Sequence, residues 1–108
     1  MENIQIKGME SLGEEEKKKA NKIFEDYYKK IQRKLKNDIS LKIYIKEYNK
    51  EGKRKKYSIN AEAISSKKIF KANSYDWDFS VVVHDVFNKI LTQAEHEFHS
   101  SDQHSRTP

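Results

Sequence analysis

Apolar positions along this chain follow two periods. In NIQIK, residues 3–7, Ile4 and Ile6 alternate with polar neighbours, a short strand signal closed by Gly8. Ala20, Ile23, Phe24, Tyr27, Ile31 and Leu35 then recur at steps of three and four, an apolar stripe over about four helical turns. Ser11-Leu12-Gly13-Glu14 has the spacing of a capping box and places the start of that helix. After Asn37-Asp38 the period returns to two, with Leu41, Ile43 and Ile45 alternating with Lys42, Tyr44 and Lys46. Asn49-Lys50-Glu51-Gly52 is turn chemistry in which Gly52 takes positive φ. A return strand follows, with Tyr57, Ile59, Ala61 and Ala63 inward and Lys56, Ser58, Asn60 and Glu62 outward. Ser65-Ser66-Lys67 turns the chain into a short strand over residues 68–72. Asn73 or Ser74 then caps a helix over about residues 76–98, with Phe79, Val83, Val86, Phe87, Ile90, Ala94 and Phe98 inward. Residues 99–108, HSSDQHSRTP, are polar and without period, and read as a flexible tail.

The predicted order is β-α-β-β-β-α, an α+β fold. The first two strands, joined through a helix, are candidates for a parallel pair with a right-handed crossover; the others form a meander. Two helices then pack on one face of a four-stranded mixed sheet. A chain of 108 residues fits one domain, over residues 1–98, with the tail at 99–108. A domain of this size leaves little room for a deep catalytic cavity.

Charge sharpens this picture by its distribution. Residues 14–71 carry 19 Lys or Arg against 9 Asp or Glu, a net +10, whereas residues 72–108 carry 2 against 6. Such polarity points to a polyanionic partner met by one part of the surface. The absence of cysteine excludes disulfides, thiolate metal sites and cysteine nucleophiles, and fits a reducing compartment. With no apolar leader or run long enough to span a bilayer, a soluble, cytoplasmic protein without membrane contact is expected.

Three basic groups are candidates for RNA contact. On the first helix Lys18, Lys22, Lys29, Arg33 and Lys36 lie within about 60° of one another, over about 27 Å. That face reads either as a row of phosphate contacts or as a solvated surface laced with Glu25 and Asp26. At the hairpin, Lys50, Lys53, Arg54, Lys55 and Lys56 crowd a turn beside Glu51, as a probe for an anion or as an edge that resists strand pairing. Lys67, Lys68 and Lys71 form the third group. Tyr44 and Tyr48, interleaved with Lys42 and Lys46, are candidates for base stacking, against the alternative of packing on lysine stems. Tyr75 and Trp77 fall at the junction of the last strand and helix, where a lone Trp commonly plugs a core.

The element order and the segment SYDWDFSVVVHDVFNKI resemble the hibernation-promoting factor and ribosome-associated inhibitor family. The resemblance rests on Ile4, Ile6 and Gly8 in the opening strand, on Asp76-Trp77-Asp78, and on Val82, Asp85, Lys89 and Ile90, and spans roughly residues 3–98. It implies a double-stranded-RNA-binding-like domain that sits on the small ribosomal subunit. There it would contact rRNA in the channel used by messenger and transfer RNA and keep idle ribosomes inactive. This sequence departs from the pattern in its acidic last helix and in its short tail, which points away from the ribosome pairing of long family members. The alternative is a general structured-RNA-binding or ribosomal protein.

His96, His99 and His104, with Asp102, form a weak metal candidate, since their spacing is not that of HExxH. His84 reads as a polar boundary residue. No Walker loop, GxSxG, dinucleotide fingerprint or Cys/His pair occurs, so no enzyme, cofactor or small-molecule substrate is expected, and a nuclease using the histidines ranks last. The expected partner is small-subunit rRNA, bound by a monomer.

Overall fold

The computed structural model describes residues 3–36, 38–52 and 54–106; the side chains of Ser11, residues 49–51, Arg54 and residues 98–106 lie outside that description. The elements are β1 (Ile4–Lys7), a 3-10 turn (Met9–Ser11), α1 (Glu14–Leu35), β2 (Ser40–Glu51), β3 (Arg54–Ile64), β4 (Ile69–Asp76) and α2 (Phe79–Arg106). The strands form one sheet in the order β1-β2-β3-β4. β1 runs parallel to β2, and the other neighbours are antiparallel. The fold is therefore α+β with a mixed sheet, in the order the two periods predict.

Alternation decides which side of the sheet is covered. Leu41, Ile43 and Ile45 of β2, Tyr57, Ile59, Ala61 and Ala63 of β3, and Phe70 of β4 are buried on the inner face. They share one core with Ala20, Phe24, Tyr27 and Ile31 of α1 and Val82, Val83, Val86, Phe87, Ile90 and Ala94 of α2. The Phe87 ring joins the two helices, 4.9 Å from Tyr27 in a stacked pair and 5.7 Å from Phe24. The helices occupy the inner face only, as apolar stripes on one layer require.

Gly8 sets the approach of β1 to β2. Its φ is +94°, and a Cβ built there would lie 2.0 Å from the Ile45 carbonyl oxygen, so the junction admits hydrogen alone. Gly52 takes φ +59° in the β2–β3 turn, as its place there predicts, with open space around it.

Local signals failed where tertiary partners outweighed them. Ser11 does not cap α1, because the chain first closes the 3-10 turn and buries Leu12. The N-cap is Gly13, and the Glu16 side chain reaches back to accept its N–H at 3.3 Å. Asn73 and Ser74 do not cap α2 either. They continue β4 opposite Asn60 and Ile59, and α2 is capped by Asp78, whose carboxylate accepts the Ser80 N–H at 2.9 Å. At its other end the α2 backbone stays helical to Arg106, beyond the expected limit at Phe98 and through most of the segment read as a tail.

Polar side chains of α2 also hold β4. The Ser74 hydroxyl donates to Asp85 at 2.6 Å, and Lys89 pairs with the same carboxylate at 3.3 Å. Lys89 donates to the Asn73 carbonyl at 2.9 Å and Gln93 to the Lys71 carbonyl at 2.7 Å. The Ser74 hydrogen bond, reinforced by Lys89, holds the Asp85 carboxyl below its ordinary 3.8. A depressed acid stabilises the fold above its unfolded pKa, and that contribution fades as pH falls through the folded value. Asp85→Asn is therefore expected to lose a modest increment of stability at neutral pH, part of it screened by water, and to match the parent near about pH 2. Urea titrations at both pH values check this; an equal deficit at both would contradict it.

Candidate nucleic-acid interface

The face of the sheet opposite the helices carries the strand positions that alternate with the core. Lys42, Tyr44, Lys46 and Tyr48 of β2 lie there, all exposed. Register brings the neighbours into rows. Gln5, Lys42, Glu62 and Lys71 form one row across all four strands. Lys7, Tyr44, Asn60 and Asn73 form the next, then Lys46, Ser58 and Tyr75, then Tyr48 and Lys56. Rows on one face are about 7 Å apart and neighbouring strands about 4.8 Å. The surface thus gathers Lys7, Lys42, Lys46, Lys56 and Lys71, and among the described side chains of these rows Glu62 is the sole carboxylate.

Aromatic rings share this face. Tyr75 is 62% exposed, Tyr44 48% and Tyr48 37%. The Lys56 ammonium lies 4.8 Å from the Tyr75 ring centre and 5.9 Å from that of Trp77, which is half-buried. Ser58 and Asn60 on central β3 lie between the tyrosines of β2 and Tyr75 of β4. Such a surface can neutralise phosphates with its lysines and offer ring faces to bases.

Sequence reading set Tyr44, Tyr48, Lys42, Lys46, Lys56 and Asn60 outward and named Lys71 at the β3–β4 turn, but missed Tyr75, Lys7 and Asn73 as members of the same face. Lys7 follows from the alternation of Ile4 and Ile6. Tyr75 followed from nothing local, because it belongs to a part of β4 that reads as a helix start.

The other basic residues lie elsewhere. Lys18, Lys22, Lys29 and Arg33 are exposed on α1, which packs on the inner side of the sheet, so they form a second surface facing away from the first; Lys36, expected on the same helix face, is instead the exposed C-cap in left-handed backbone at φ 53°. Lys22 is 4.0 Å from Asp26. Lys29, Arg33 and Lys36 gather with Gln32 and Asp38 around a shallow depression at the end of the helix. Lys55 points to the inner side of the hairpin and pairs with Glu47 at 3.2 Å, which raises the ammonium pKa first by their hydrogen bond. The hairpin cations are thus split by alternation. Lys53 lies outside the described residues, and the side chains of Lys50 and Arg54 lie outside the described side chains. Lys67 is exposed at the β3–β4 turn, while Lys68 reaches α2 and pairs with Glu97 at 2.7 Å.

On the helix side, His84 and Tyr27 share a hydrogen bond of 2.6 Å between Nδ1 and the phenol, and burial pushes the Tyr27 hydroxyl pKa up. His96 is exposed, while the side chains of His99, Asp102 and His104 lie outside the described ones. Among the described residues no group of three or more His, Cys, Asp or Glu is placed to hold a metal ion, and no helix is long and apolar enough to cross a membrane. No family model and no curated protein matches this chain.

Proposed function

We propose that the protein binds RNA of the small ribosomal subunit and keeps idle ribosomes inactive, meeting the RNA with the outer face of its sheet. The observation that carries the RNA reading is that face, whose described side chains include five lysines and three exposed tyrosines around one carboxylate and which is covered by neither helix. The ribosomal reading is supported by the element order and the Asp76–Ile90 segment, which resemble the hibernation-promoting family. A monomer in the cytoplasm accords with that role.

Co-sedimentation with purified small subunits tests the proposal. The protein should travel with the subunits at low salt and leave them as log salt rises, because each neutralised phosphate releases counterions. Absence from the subunit fraction at low salt sinks the ribosomal reading. Equal affinity for subunits and for arbitrary free RNA would instead indicate a general RNA-binding protein, the second reading that this charge and ring chemistry favours.

A further inference from the structure

We infer that the outer face of the sheet takes an unpaired RNA segment, with bases laid on Tyr44, Tyr48 and Tyr75, rather than a duplex. The inference rests on the RNA reading above and narrows its ligand. Tyr44 and Tyr48 lie four residues apart on β2, and Tyr75 stands level with Lys46, between them, two strands away. From strand spacing and rise, their Cα positions are roughly 12 Å apart. Paired bases stack at about 3.4 Å and turn only their edges and backbone outward, so a duplex cannot seat bases on two of these rings. An unpaired strand can splay its bases and expose their faces, which every base has.

The surroundings complete the fit. The Lys56 ammonium lies over one face of the Tyr75 ring, 4.8 Å from its centre, so a base laid on Tyr75 takes the opposite face with this cation beside it. Lys42, Lys46 and Lys71 lie on the same face, and the Asn60–Asn73 pair in the row of Tyr44 offers amide donors and acceptors to base edges. With the Lys56 ammonium over its ring, Tyr75 is still 62% exposed.

Fluorescence anisotropy with single-stranded U and A oligomers of about ten nucleotides, a length within the range of sheet-platform sites, tests this. The single strands should bind more tightly than the same strand paired with its complement. Tyr44→Ala and Tyr75→Ala should each weaken single-strand binding roughly tenfold or more, while Tyr44→Phe and Tyr75→Phe retain it. Thermal unfolding of each variant confirms that these outward positions leave the fold in place. Alanine variants that bind like the parent overturn the inference, as does a duplex that binds as tightly as the single strand. Retention on small subunits without any oligomer binding also overturns it and leaves the proposed function standing; loss of retention as well sinks both.

Discussion

Gly8→Ala is expected to cost about 3–5 kcal/mol, against a typical total of about 5–15 kcal/mol for a domain. Left-handed backbone at a residue with a side chain accounts for about 1–2 kcal/mol of this. The remainder comes from the 2.0 Å approach of the new Cβ to the Ile45 carbonyl oxygen, which belongs to backbone in the middle of the sheet and cannot swing aside. Gly52→Ala separates the two contributions. Gly52 also has positive φ, but nothing lies within 4 Å of its would-be Cβ, so only the backbone cost of about 1–2 kcal/mol applies. Urea unfolding of both variants checks the contrast, and equal losses would refute the steric account.

A second large effect concerns binding. Lys42→Ala, Lys46→Ala and Lys71→Ala combined should weaken RNA binding roughly a hundredfold at low salt, taking somewhat under tenfold for each charge-assisted phosphate contact. The slope of log affinity against log salt should fall by about 2–3, at about 0.7–0.9 for each contact removed. Two controls locate the effect. Lys55→Ala removes a cation committed to Glu47 on the inner side and should leave affinity within about twofold. Lys22→Ala, Lys29→Ala and Arg33→Ala combined alter the opposite surface and should cost less than the sheet variant. The reverse ranking would move the interface to α1.

Period alone was enough to order the elements, because a change from alternation to three-and-four spacing is a property of consecutive residues. It also assigned the faces of β2 and β3, and so placed Tyr44 beside Lys42 and Lys46. What it missed depends on residues far apart in sequence. Asn73 and Ser74 favour caps locally, yet a β3 partner for each, and Asp85 for Ser74, hold them in a strand. That extension of β4 is what sets Tyr75 on the outer face, so the aromatic group could not be completed without the register. Lys55 was legible by alternation, since Tyr57 faces inward, but the crowding of charge at the turn masked it. The division of the cations between two opposite surfaces follows only from the packing of α1.

The hydrogen bonds from Lys89 and Gln93 to the Asn73 and Lys71 carbonyls have a consequence for life in a crowded solution. A sheet with free rims recruits strands from other copies of itself and grows into aggregates. Here one rim is a strand of only four residues, and along the other α2 has already engaged carbonyls that an incoming strand would need. The outer face of the sheet can therefore stay broad and uncovered while its rims discourage polymerisation with its own kind.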